Sequence, residues 1–239
     1  MFDKWRKYSY AAQKTQRHRI RWIAIWIISF FLVYTILTSL VFSIKVLEND
    51  TMLPGLQKGD RFIFSSYQIY KFIPAPDISS LLHRGNIILI DKSLGKKQGF
   101  LNAALDGILR FFTAQRVSLN RTEDSLFIKR LIGLPGDEIS MTNFVIRVKP
   151  KGQNFYFTEF ELWDRPYESI IPSVPALWDE TLPFSGNMET VTLGEDEVFV
   201  LSDDRSNTND SRTWGPVPVS LISGKALFRY WPFTRAGIP

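Results

Sequence analysis

From Trp22 to Ile44 the chain runs 23 residues without a charge, WIAIWIISFFLVYTILTSLVFSI, between Arg21 and Lys45. An α-helix needs roughly 20 such residues to cross a bilayer's hydrocarbon core, so the pattern predicts a transmembrane helix over 22–44. A cleaved leader shares the basic front and apolar middle, but its apolar region is usually ~7–15 residues and ends in a small-x-small site. This run is longer, full of Ile, Phe and Trp, and ends in Ser-Ile-Lys. Beyond residue 45 the pattern changes to short β-branched and aromatic runs: RFIFSSY (61–67), NIILIDK (86–92), SLFIKRLIG (125–133), FVIRVKP (144–150), FYFTEFEL (155–162), EVFVLSD (197–203) and KALFRYW (225–231). Gly, Pro, Asn and Asp cluster between them, which predicts a mostly β, partly barrel-like domain rather than βαβ units. One segment departs from this. GFLNAALDGILRFFTAQ (99–115) sets Leu101, Leu105, Ile108 and Phe112 at helical spacing. It reads either as a core-packing helix or as an amphipathic helix lying on a membrane surface.

Charge gives the apolar run a direction. Residues 1–21 carry seven basic groups against Asp3, a net of +6, while the whole chain is +5, leaving about −1 for everything after. A basic cluster ahead of a span places that end in the cytoplasm. The expected organisation is a cytoplasmic tail (1–21), a span (22–44) and an extracytoplasmic domain (45–239) on the outer face of the cell membrane. A nucleic-acid-binding protein would carry its positive charge on the folded domain, so nucleic acid is a poor partner. There are no cysteines and only two histidines, His18 and His83, which removes thiol chemistry and leaves no metal-ligand spacing. No metal and no cofactor are expected.

Three clusters carry candidate chemistry. ENDTMLPGLQKGD (48–60) sets Thr51 before a Met-Leu-Pro turn. SLFIKRLIGLPGD (125–137) sets Lys129 among Phe127, Ile128, Leu131 and Ile132. Burial disfavours an ammonium and turns a lysine into a competent base near neutral pH; an edge-strand or snorkelling lysine is the alternative. In a strand, Ile128 and Arg130 face away from Lys129. LSDDRSNTNDSRTWGPVP (201–218) alternates acids, arginines and hydroxyls. It reads as a solvated loop of Asx-turns or as a rigid scaffold for a neighbouring side chain; an EF-hand's calcium grammar is missing.

In this order, TMLPGLQKGD, RGNIILIDK (84–92), FIKRLIGLPGD (127–137) and SDDRSNTNDSR (202–212) behind an anchor resemble the type I signal peptidases, membrane-anchored proteases with a Ser-Lys dyad. The resemblance implies an antiparallel, coiled β-sheet domain. It implies Thr51 as nucleophile, at the position of the family serine, and Lys129 as general base. Thr208 matches the serine that holds the lysine, and Asp210 and Arg212 match a supporting ion pair. Asn49, two residues before the nucleophile, is placed to donate from its amide into the oxyanion hole. Leu47, Met52, Leu56, Phe127 and Ile128 line the first substrate pocket by family position, and equally suit a plain core. The implied partners are signal peptides of exported preproteins and membrane lipid. Three departures stand out: threonine at 51 and 208, Ser202 where glycine is usual, and Asp204 where asparagine is common. Threonine keeps the nucleophilic oxygen but restricts χ1. The alternative is a catalytically silent homologue that binds signal peptides or regulates an active paralogue. A self-cleaving repressor with the same dyad would need a DNA-binding domain where residues 1–44 offer a span.

Overall fold

The computed structural model describes residues 10–36, 41–67, 81–92, 105, 109, 126–163, 165, 167–172 and 186–239. The chain divides between Ser39 and Leu40 into two compact units. Among the described residues, the first consists of one helix, α1 (Tyr10–Ile36). Its apolar side chains are exposed around the helix, among them Trp22, Trp26, Ile28, Phe30 and Val33. Among the described residues, no helix is long and apolar enough to cross a membrane. The uncharged part of α1, 22–36, rises about 22 Å at 1.5 Å per residue, short of the ~30 Å core. Residues 37–40 of the expected span lie outside the described residues, and its last three, Phe42 to Ile44, belong to a strand. The apolar run thus carries two elements. Its end was illegible because β1 (Phe42–Val46) has no turn signal ahead of it and is as apolar as the helix.

The second unit is mostly β, with every strand pair antiparallel. The strands are β1, β2 (Arg61–Ser66), β3 (Ile87–Asp91), β4 (Leu126–Gly133), β5 (Glu138–Thr142), β6 (Val145–Lys149), β7 (Phe157–Thr158), β8 (Met188–Thr192), β9 (Glu197–Leu201), β10 (Val217–Pro218) and β11 (Ile222–Trp231). A one-turn helix, α2 (Ser211–Trp214), follows β9. Seven strands form one sheet in the order β1-β2-β11-β3-β4-β9-β10, and four form a second, β7-β6-β5-β8. β1 and β10 end the larger sheet without pairing to each other, so the barrel-like closure expected from the strand pattern does not occur.

The central strands are covered on both faces. All five residues of β3 are buried. Alternation sends Ile88 and Ile90 into one core cluster with Leu131, Val198 and Val200, and Ile87 and Leu89 into another with Phe62, Phe64 and Ile128. Each such side chain contributes about 1.5–3 kcal/mol of burial. A third cluster, around Ile139, Ile146 and Val148, joins the sheets where β4 runs into β5. Gly224 of β11 allows the closest approach: a Cβ there would stand 1.8 Å from the Ser65 carbonyl oxygen of β2. Six of the seven expected strands are present. The seventh, 155–162, pairs only at 157–158, because Glu159 turns inward to Arg205 while Phe155 and Tyr156 stay exposed. The expected helix over 99–115 lies outside the described residues except for Leu105 and Leu109, which are helical.

Candidate active site

Lys129 occupies the middle of β4, paired across to Ile88 of β3, and is only 1% exposed. Its odd-numbered neighbours Phe127 and Leu131 share a core cluster, while Ile128 packs in the opposite one. Arg130 also turns away from the lysine. It forms a two-pronged pair with Asp203 (2.6 and 2.7 Å), donates to the Gly85 carbonyl at 2.8 Å, and stacks 4.0 Å from the Tyr167 ring. Burial pushes the Lys129 ammonium down to about 8 from 10.5. Asp210 and Asp203 oppose that shift, and Arg212 and Lys92 add to it. An ammonium so disfavoured gives up its proton more readily than that of an exposed lysine.

Its one hydrogen-bond partner among the described residues is Ser202, whose Oγ accepts from Nζ at 2.7 Å. Thr208, the position expected to hold the lysine, instead offers its carbonyl to Asp210 N (2.8 Å) and Thr213 Oγ1 (2.6 Å). The only sequence signal for Ser202 was negative, a hydroxyl where glycine is usual. Its main chain is held by Asp210, whose Oδ2 accepts from Ser202 N at 2.9 Å.

Asp210 is fully buried and caps α2, accepting from Arg212 N at 3.1 Å and pairing with the Arg212 guanidinium at 2.8 and 2.9 Å. Burial alone would raise its pKa, but the Arg212 hydrogen bond and charge, with two backbone N–H groups, hold it below the usual carboxylate range. Arg212 also donates to the carbonyls of Arg205 (2.8 Å) and Asn207, so one guanidinium gathers the whole loop. The 201–212 segment is the rigid scaffold of the two readings left open by its sequence.

Thr51 sits in a turn after β1, 7% exposed. The turn is pinned by Leu56 N to the Met52 carbonyl (2.9 Å) and by buried Asp60, which pairs with Arg229 (3.1 Å) and Arg235 (2.8 Å). The Thr51 carbonyl accepts from Asp204 N at 3.1 Å. Thr51 and Lys129 are therefore both fastened to the same short strap, 202–204. No hydrogen bond joins the two side chains: Thr51 Oγ1 donates to Asn49 Oδ1 at 2.8 Å. Asn49 thus acts here as an acceptor of the nucleophile position, not as the amide donor expected of it. The Thr51 backbone N–H donates to no group among the described residues.

Of the five expected pocket residues, Leu47, Met52, Leu56 and Ile128 share one buried cluster. Phe127 is elsewhere, edge-on to Trp214 with ring centroids 4.9 Å apart and 4.6 Å from the Lys92 ammonium. A second buried network went unread in the sequence. Arg205 pairs with Glu159 at 2.6 Å, and Tyr167 donates to the same carboxylate at 2.6 Å. Arg205 belongs to the acid-rich motif, but Glu159 and Tyr167 lie in a segment without motif grammar.

Residues 19–231, which include all of these groups, match the family described as signal peptidase, peptidase S26. The chain belongs to the type I signal peptidase family. Signal peptidase I of Bacillus caldolyticus is 32% identical over 174 residues, covering 73% of this chain and 83% of its own. Signal peptidase I of Leptolyngbya laminosa is 31% identical over 193 residues, covering 81% and 70%. The probable signal peptidase I-1 of Synechocystis is 28% identical over 194 residues, covering 81% and 73%. These relatives give the strap and the buried lysine a chemical context.

The scaffold's dependence on one carboxylate is testable. Asp210→Asn removes the charge facing Arg212 and should destabilise the domain by about 3 kcal/mol, as expected for breaking a buried pair. The folded pKa of Asp210 lies below its unfolded value, so its stabilisation is present above pH ~4 and fades as pH falls through the folded pKa. Denaturant midpoints of the two proteins should therefore differ at pH 7 and converge in acid. A constant gap would assign the loss to something other than the charge.

Proposed function

We propose that this signal peptidase homologue is a membrane-bound endopeptidase that removes signal peptides from exported preproteins, using Thr51 as nucleophile and Lys129 as general base. The observation that carries the reading is Lys129, an almost fully buried lysine with a pKa near 8, fastened to the strap that also holds Thr51. Neutral Lys129 takes the proton as Thr51 Oγ1 attacks the scissile carbonyl carbon. The resulting oxyanion is served by the unengaged Thr51 N–H. Collapse breaks the C–N bond, the lysine ammonium gives its proton to the departing amine, and an ester remains on Thr51. Water, deprotonated by Lys129, then releases the signal peptide's carboxylate and restores the threonine.

Before attack, the Thr51 hydroxyl must leave Asn49 and turn toward the base. Because threonine is stiff at χ1, this rotation is the step in which it differs most from serine. Leu47, Met52, Leu56 and Ile128 form the apolar side of the first substrate pocket, which suits a small side chain. Asp210 and Arg212 support the base through Ser202.

The uncharged stretch beginning at Trp22 anchors the protein, with residues 1–21 cytoplasmic and the β unit outside. The basic cluster ahead of it and the exposed apolar side chains along α1 support this placement. Protease added outside spheroplasts should then digest the β unit; protection of it would reverse the orientation.

Cleavage of a model preprotein by the full chain in detergent tests the mechanism. Thr51→Ala and Lys129→Ala should each reduce kcat at least 10³-fold, because nucleophile and base act as a unit. Lys129→Arg should fail equally, since a guanidinium stays protonated. Thr51→Ser should keep or raise the wild-type rate. An inert wild type that gains activity as Thr51→Ser would identify a silent homologue, and full activity of Thr51→Ala would remove the dyad.

A further inference from the structure

The hydroxyl that holds Lys129 comes from a position other than the one the family pattern supplies. The lysine's Nζ donates to Ser202 Oγ at 2.7 Å, whereas Thr208 contributes only its carbonyl oxygen, and that to Asp210 and Thr213. Ser202 is fully buried, and its main chain is fixed on three sides. Its N–H is bound to Asp210, the preceding Leu201 is paired with Arg130 in the β4–β9 ladder, and the following Asp203 grips the Arg130 guanidinium. Few serine side chains have less freedom.

We infer that Ser202 is the residue that positions Lys129 for proton transfer in this protein, a role it takes over from Thr208. The inference rests on reading Lys129 as the general base. A neutral amine has two N–H bonds and one lone pair. Donating one N–H to a fixed oxygen sets rotation about the Cε–Nζ bond, so the lone pair can only point away from Ser202, into directions where a substrate-side hydroxyl can meet it. Glycine at 202 would leave that rotation free. The departures at the two positions are then one change. With a hydroxyl at 202, the side chain at 208 need not reach the lysine, and threonine is accommodated there through its backbone. Ser202 is a positioning residue: it acts on Lys129 and has no contact with the bond being cleaved.

The test uses the full chain in detergent micelles, with Ser202→Ala and Ser202→Gly compared with wild type and with Thr208→Val. Both Ser202 variants delete the hydroxyl, and the second installs the smaller family residue should alanine disturb folding. Preprotein cleavage should lose at least tenfold in kcat, with KM changed less than twofold. With 15Nζ-labelled lysine, relaxation of the Lys129 Nζ signal, assigned through Lys129→Arg, should report restricted rotation about Cε–Nζ in wild type and faster rotation in both Ser202 variants. This NMR readout does not need catalysis, so an inactive wild type would count against the proposed function while leaving the positioning claim measurable. Wild-type kcat and wild-type rotation in both Ser202 variants would overturn the inference. So would faster rotation in Thr208→Val alone.

Discussion

The carboxylate of Asp210 is the fixed point of the catalytic side of this domain. It is fully buried, so it needs partners, and it has four: the N–H groups of Ser202 and Arg212 and two guanidinium nitrogens of Arg212. Hydrogen bonds to a charged group contribute about 1.5–3 kcal/mol each, against a desolvation cost of several kcal/mol per ion. The net gain in stability is small; the gain in definition is large. Through Ser202 the carboxylate reaches Lys129, and through Arg212 it collects the carbonyls of Arg205 and Asn207. From there the Asp204 N–H reaches back to the Thr51 carbonyl. A loop of acids and arginines thereby becomes a clamp on the Lys129 side chain and the Thr51 main chain, from distant parts of the chain.

The clamp matters because burying Lys129 works against the fold. Lowering a lysine pKa from 10.5 to about 8 corresponds to roughly 3 kcal/mol of disfavoured ammonium, at about 1.4 kcal/mol per unit. The protein bears that cost in the middle of the larger sheet, between β3 and β9, where apolar clusters cover both faces. A lysine nearer an edge would stay hydrated and charged. Arg130, the next residue, solves the same burial in the opposite way, by a two-pronged pair with Asp203 and a ring beneath it. Adjacent positions on opposite faces of one strand therefore hold a lysine whose ammonium is disfavoured by burial and an arginine held in an ion pair.

Much of this was legible in the sequence. Period-2 patterning located six strands, and a lysine amid four apolar neighbours was readable as buried because alternation forces Lys129 inward wherever Phe127 and Leu131 go inward. The acid-rich loop was readable as a scaffold because its residues bond mostly to one another. What escaped reading depended on tertiary partners. β1 was hidden in the apolar run because nothing punctuates the change from helix to strand. Ser202, rather than Thr208, meets the lysine because hydrogen bonds to Asp210 and the β9 ladder fix where its hydroxyl lands. Phe127 leaves the presumptive pocket for Trp214 because it shares a face with Lys129 and not with Ile128. In the Glu159–Arg205–Tyr167 network only Arg205 stood in a segment with a sequence signal; Glu159 and Tyr167 had none.

The claim on which the account rests is that burial lowers the Lys129 pKa far enough for a neutral amine to be present near neutral pH. A direct titration of its ε-carbon signal in 13Cε-lysine-labelled full-length protein measures this without reference to any substrate. The account predicts a midpoint near 8. A midpoint near the ordinary value of 10.5 would mean that the lysine keeps its charge despite its burial, and would contradict it.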